Sequence, residues 1–377
     1  MNPIETAARV REIGDQARGV FIGRDDLVQG IELALVSGLH AIVLGPPGTG
    51  KSAAIRFFAK AAGLSFFRRV LNPDTPREDL VGPIDPIALQ QGRWDRKWTG
   101  LATCNVAFLD EIGKASSQVV NMLLDAMEER RVTSGDVDME IPLHSVFSAS
   151  NETIDDESAA IWDRFTIRLV VKYLKDPSLF SDLLEKAWAV NSPQPMPVAR
   201  EDLEACRIEC GRMAAEAHKS SSVMTAVMTL WRDIGTHSSM PVSDRRWLSA
   251  LRVAAASALL AGRSRVGVAD LMSARFVLWG DVDDIDSITR FIEDVVNAEN
   301  KELEVAQQVV EEMEQIATPW VKLGSKPSHA DNLAAAAKLL FRIDQLLPSV
   351  EKRAEDRGDG WLDLQERLVV LHRATTG

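Results

Sequence analysis

Gly45-Pro46-Pro47-Gly48-Thr49-Gly50-Lys51-Ser52 is the stretch whose reading decides the fold. The apolar run His40-Ala41-Ile42-Val43-Leu44 leads into it, and Ala53 to Ala62 follows with helical composition. Strand, glycine-rich loop and helix, with Lys and Ser at the helix start, make the pattern G-x-x-x-x-G-K-[ST] in its expected setting. The chemistry is anion capture. Glycines let backbone N–H groups turn inward around phosphate oxygens, and the helix N-terminus adds roughly half a positive charge at the same point. Lys51 is spaced to reach the β- and γ-phosphates of a nucleotide, and the Ser52 hydroxyl to ligate Mg²⁺. A plain Gly/Pro turn between core elements accounts for the glycines but not for the Lys-Ser pair.

About sixty residues further on, Cys104 to Leu109 reads as a buried strand ending in Asp110-Glu111. Carboxylates at the carboxyl end of such a strand lie where open α/β sheets bind ligands. Asp110 is suited to hold Mg²⁺ through water, and Glu111 to orient and deprotonate an attacking water. Val146 to Ser150 is another strand, followed by Asn151, whose amide is placed to position that water or simply to make a turn.

Upstream, residues 1–20 read as a short helix and a turn, and Asp25 as the cap of a helix from Asp26 to Ser37. Downstream, Ser65 to Leu71 reads as a strand. Thr75-Pro76-Arg77-Glu78 has the form of a capping box. Gln90 to Trp98, QQGRWDRKW, reads as a hairpin or projecting loop. Val119 to Arg130 is amphipathic with helical spacing, and residues 131–142 suggest a hairpin. Asn191 to Pro197 holds three prolines in its last five residues and marks a domain boundary. Every segment from Arg200 to about Leu278 looks helical, and apolar spacings of three and four continue to Leu371, interrupted by Glu299 and Glu302. The expected division is 1–190 for an α/β core, 198–280 for an α-helical lid and 285–377 for a C-terminal helical extension.

The 377 residues are 46% hydrophobic and 26% charged, an ordinary globular balance. A net charge of −12 disfavours a broad nucleic-acid or acidic-membrane surface. No run approaches the roughly 18 apolar residues that span a bilayer, and Met1 to Ala17 lacks the apolar centre of a secretory signal, so the expected location is the cytoplasm. Three cysteines make no disulfide framework. Cys206 and Cys210, four apart on a helix, read as buried thiols.

In this order the motifs resemble an AAA+ ATPase, and within that class the MoxR family. The residues that carry the resemblance are GPPGTGKS at 45–52, TPREDLVG at 75–82, VAFLDEI at 106–112, NMLLDAMEERRVTSG at 121–135, SASNE at 148–152 and DRF at 163–165. VSDRRW at 242–247, with Gly262-Arg263-Ser264 and Leu278-Trp279, looks especially like the RavA subgroup, although only Thr318–Ser328 stands where RavA-like proteins carry a small β-rich insert. The resemblance implies a hexameric ring with ATP and Mg²⁺ at subunit interfaces. It implies ATP held by Ile22, Gly23, Gly45, Pro46, Pro47, Gly48, Thr49, Gly50, Lys51, Ser52 and Ala53, the metal by Ser52 and Asp110, and hydrolysis through Lys51, Asp110, Glu111 and Asn151. Arg164 matches the arginine supplied to a neighbour's ATP, with Arg168 as the competing candidate. Arg245 matches sensor 2, with Arg246 beside it. The implied activity is remodelling of a protein client together with a von Willebrand factor A domain adaptor. The alternative is a nucleic-acid-translocating motor, with Arg93, Arg96 and Lys97 lining a pore and Trp94 or Trp98 stacking on bases.

Overall fold

The computed structural model describes residues 1–93, 95–134, 137–150, 159–186, 193–323, 330–357 and 359–376. Among the described residues there are seven strands: β1 (Ala41–Leu44), β2 (Phe66–Val70), β3 (Val106–Asp110), β4 (Arg131–Ser134), β5 (Val137–Glu140), β6 (Ser145–Ser150) and β7 (Ile167–Val170). Five of them form one sheet in the order β2-β3-β6-β1-β7, parallel throughout. The other two, β4 and β5, pair as a separate antiparallel hairpin. β1, β6 and the apolar part of β3 are buried along their length, as central strands covered on both faces must be.

The helices are α1 (Pro3–Val20), α2 (Asp25–Ser37), α3 (Lys51–Ala62), α4 (Glu78–Val81), α5 (Pro86–Gln90), α6 (Ser117–Glu129), α7 (Ala159–Arg164), α8 (Pro177–Lys186), α9 (Arg200–Glu216), α10 (Ser221–Asp233), α11 (Asp244–Leu260), α12 (Ile285–Leu323), α13 (Ala330–Arg357) and α14 (Asp359–Thr376). The α/β core followed by helices is the expected class. α3 shows how the sequence builds its part: alanines favour the helix, Ile55 and Phe58 bury its inner face, and Gly63 ends it at φ 68°.

Local expectations failed where a side chain found another use. Thr75 caps no helix: its hydroxyl accepts the Asn72 N–H at 2.9 Å and closes a turn, and α4 begins at Glu78. Asp25 lies inside the first turn of α2 beside Asp26, where its charge favours the helix dipole, and Arg24 takes the cap position. The segment around QQGRWDRKW is a narrow insert closed by an Ile84–Arg96 bridge, with α5 at its tip. The signal for α5 was present in Asp85-Pro86: Asp85 accepts the Ile87 N–H at 2.8 Å, and Pro86 takes the first helical position. Glu299 and Glu302 do not break the chain's course, because glutamate is a good helix former and α12 runs unbroken for 39 residues.

The chain forms two compact units. The first comprises Met1–Ala215, Met240–Val266 and Ser273–Ile285, and it holds the sheet. At the amino ends of its central strands two buried imidazoles tie the backbone. His40 Nδ1 accepts the Val146 N–H at 2.9 Å and its Nε2 faces the Met127 carbonyl at 3.0 Å, while His144 Nε2 faces the Leu35 carbonyl at 2.7 Å. Burial pushes both below the usual histidine range, His144 to about 4. Cys206 and Cys210 are buried thiols, as expected, and burial raises both. The second unit, Glu216–Ser239, Gly267–Met272 and Asp286–Gly377, has its own core, in which Val310 and Met313 of α12, Leu339 and Ile343 of α13, and Leu364 and Leu368 of α14 interdigitate. Arg367 clamps Glu314 with two contacts of 2.8 Å at its edge.

Candidate active site

The loop between β1 and α3 has the backbone its glycines allow. Gly45, Gly48 and Gly50 stand at φ of 145°, 79° and 85°, values that side chains rarely adopt. A Cβ on Gly45 would lie 2.0 Å from the carbonyl oxygen of Val171, the residue after β7, so the chain leaving β7 closes one side of the loop. A Cβ on Gly48 would meet nothing within 4 Å, so there the loop is open. Three polar ties hold its carbonyls: Thr49 Oγ1 donates to Pro46 at 3.0 Å, Arg24 Nε to Thr49 at 3.2 Å, and the Tyr173 hydroxyl to Pro47 at 3.2 Å. Lys51 is buried, and its ammonium donates to the carbonyls of Gly45 and Pro46. Burial lowers its pKa, and the nearby charges of Asp110 and Glu111 oppose that shift.

Those carboxylates arrive from the end of β3. Strand register sets Asp110 beside Val70 of β2 and Ala149 of β6, and Leu44, the last residue of β1, beside Ser150. The Gly45 N–H donates to the Ser150 carbonyl at 3.1 Å, which joins the loop to the end of β6. Arg68 Nη2 stands 3.6 Å from Asp110. Glu111 leaves the strand at φ 59°, ψ 45°, a left-handed backbone that costs a residue with a Cβ roughly 1–2 kcal/mol. Its N–H still donates to the Ala149 carbonyl at 2.9 Å, and its carboxylate pairs with Lys114 at 3.2 Å. Strain of this kind persists where surrounding bonds fix it, and it gathers at functional positions. The donor set suits a small hard cation: a serine hydroxyl at the start of α3 and a carboxylate at the end of β3 are the oxygen ligands Mg²⁺ takes. Asn151 and Trp94 lie outside the described residues.

Ile22 is buried and Gly23 stands at φ 64°, with Leu174 and Leu179 side-chain carbons 2.7 and 3.2 Å from where a Cβ would sit. Phe21 packs edge-on to Phe57 of α3 at 5.7 Å. The segment at 21–23 is thus packed against the phosphate-loop helix and the chain leaving β7.

The four arginines separate into two kinds. Arg168 is 2% exposed: it donates to the carbonyls of Trp279 at 2.9 Å, Trp162 at 3.1 Å and Phe165 at 3.3 Å, and lies over the Trp162 ring at 4.4 Å. Arg246 is 4% exposed and donates to the carbonyls of Val277 and Trp279. Burial lowers both. Arg164 and Arg245 have 25% and 40% of their side chains exposed, and both pair with Glu128, at 2.8 and 3.1 Å. The Ser243 hydroxyl donates to Asp163 at 2.9 Å, so the DRF and SDRRW segments interlock. In the insert, Arg96 is spent at the base, donating to the Gly82 carbonyl and lying 5.9 Å over the Trp98 ring, while Ile87 and Leu89 of α5 are exposed.

Fold and site together define a P-loop ATPase of the AAA+ class. Residues 8–209 match the family described as the MoxR domain in the MoxR-vWA-beta-propeller ternary systems, and residues 222–292 match an AAA lid domain. The chain therefore belongs to the MoxR family. An uncharacterized protein of Methanocaldococcus jannaschii is 27% identical over 82% of this chain and 79% of its own length. Chaperone MoxR1 of Mycobacterium tuberculosis is 30% identical over 42% of this chain and 43% of its own. The crystal structure of a candidate ATPase from Cytophaga hutchinsonii shares the fold, with a TM-score of 0.62 at 21% identity, covering 78% of this chain and 95% of that one. Among the described residues no helix is long and apolar enough to cross a membrane.

Proposed function

We propose that the protein hydrolyses ATP in an oligomeric ring, a hexamer by family analogy, and uses the turnover to remodel a protein client. The observation that carries this reading is the placement of Lys51 and Ser52 at the exit of β1 and of Asp110 and a left-handed Glu111 at the exit of β3, the two strands that flank β6. In it, the Gly45–Ala53 loop cradles the phosphates, Lys51 leaves its own carbonyls for the β- and γ-oxygens, and Ile22 and Gly23 border the base. Ser52 and Asp110 hold Mg²⁺, which when bound offsets developing phosphate charge. Glu111 takes the proton of a water attacking in line, and Asn151 positions that water. Burial of Arg168 and Arg246 supports Arg164 as the arginine offered to a neighbour's ATP and Arg245 as the sensor.

The working division is 1–190, 198–280 and 285–377, of RavA-like type without the β-rich insert. The adaptor is a von Willebrand factor A domain protein, a partner supported by the systems in which the family occurs. The test uses tagged Glu111→Gln protein held in ATP. It should bind nucleotide at wild-type affinity, turn it over about a thousandfold more slowly, and retain a stoichiometric adhesion-type protein from its host. Full-rate turnover would sink the catalytic assignment. Recovery of nuclease-sensitive nucleic acid in place of protein would replace the client reading with the motor.

A further inference from the structure

Glu128, at the end of α6, is the carboxylate on which two distant helices meet. Its Oε2 takes Arg164 Nη2 from α7 at 2.8 Å, and its Oε1 takes Arg245 Nη2 from the first turn of α11 at 3.1 Å. We propose that Glu128 is a positioning residue that gathers Arg164 and Arg245 into one receptor for the nucleotide phosphate of a second copy of the chain. This rests on the reading of Arg164 as the arginine given to a neighbour.

Two features carry the inference. The carboxylate is used symmetrically, one oxygen for each guanidinium, across separations of 36 and 117 residues. The arrangement is braced from its other side, where Asp163 accepts from Ser243 and stands 3.8 Å from Arg245 Nη1. Two guanidinium groups, partly exposed and held side by side on one carboxylate, suit an incoming phosphate. Stability does not explain the arrangement, because exposed ion pairs contribute little to it. Preorganisation does: two long, rotamer-rich side chains are ordered before the anion arrives. Hydrogen bonding from Arg164, foremost, keeps the Glu128 carboxyl below its ordinary range, so the clamp stays charged in mild acid.

The test is steady-state ATPase and nucleotide binding on the full chain carrying Glu128→Gln, Arg164→Ala, or both, at protein concentrations high enough that rate per subunit no longer rises. Glu128→Gln should lower kcat about tenfold with KM and ATP affinity unchanged. The double variant should be slower than Arg164→Ala alone by clearly less than the factor Glu128→Gln shows by itself, because Glu128 works through Arg164 and, for the remainder, through Arg245. Thermal unfolding of each variant serves as the control for folding. An unchanged or raised kcat in Glu128→Gln beside a crippled Arg164→Ala would overturn the Glu128 proposal alone. So would a loss that multiplies with Arg164→Ala. If Glu128→Gln proves unstable, Glu128→Asp, which keeps the charge, must retain more than half the wild-type kcat, and failure to do so counts against the proposal. Wild-type turnover by Arg164→Ala would bring down the reading beneath it.

Discussion

At their amino ends β1 and β6 finish against His40 and His144; at their carboxyl ends they run into Gly45 and Ser150. The first end is closed. Its imidazoles are neutral, fully buried and bonded to backbone groups of the same unit, and Arg130 donates to the Gly38 carbonyl at 2.9 Å beside them. The second end is charged and under backbone strain. A buried ammonium borrows loop carbonyls, two carboxylates lie within its field, and Gly48 and Glu111 hold left-handed conformations. The same strands are thus sealed on one side and left to be completed by a ligand on the other. Polar groups that satisfy one another serve the fold, while polar groups gathered at a cost serve chemistry.

The sharpest way to break this contrast is Lys51→Ala. Removing the ammonium should weaken ATP binding a hundredfold or more, about 3 kcal/mol or greater, while leaving thermal stability near wild type, because burying a charged ammonium is itself costly to the fold. Titration with a fluorescent ATP analogue measures it, and affinity within threefold of wild type would end the idea that this end awaits phosphate.

The closed end predicts an acid response. His144 titrates near 4 in the folded chain against 6.5 for the free side chain, so the unfolded chain takes up its proton first. The stability it contributes is complete above about pH 6.5 and drains away as pH falls toward 4, roughly 3 kcal/mol in all. Denaturant melts from pH 7.5 to 4.5 should show the loss, and a variant with Gln at 144 should flatten it even if less stable throughout. An unchanged slope would mean the imidazole is not what acid attacks.

The smallest effect belongs to the tie between the two strand exits. Tyr173→Phe removes the hydroxyl that holds the Pro47 carbonyl. A neutral hydrogen bond contributes about 0.5–1.5 kcal/mol, so KM for ATP should rise two- to tenfold with kcat kept. Tyr173 is the chain's sole tyrosine, so fluorotyrosine labelling gives a single ¹⁹F resonance that should move on nucleotide addition.

How much of this was legible beforehand follows from the distance over which each signal acts. The loop at 45–52 and the strand ending in Asp110-Glu111 are local patterns, and the parallel sheet follows from them. Arg68 beside Asp110 was hidden because it depends on β2 lying next to β3 in register, which no spacing reveals. Glu128 was hidden for the same reason, its partners standing on two other helices. Arg164 and Arg168 were inseparable by residue type; only burial divides them, and burial belongs to the assembled core. Thr75 misled because a hydroxyl has competing local acceptor roles, and the turn at Asn72 claimed it first.

One carbonyl, that of Trp279, accepts from both Arg168 at the β7 strand and Arg246 in α11. It works as a rivet. Two donors on one acceptor tie β7 and α11 to the same backbone at 277–279, so a displacement of either element loads that segment. If the proposed ATPase cycle moves α11, a variant that loosens one of the two should leave chemistry at the phosphate loop intact and deliver less work per turnover.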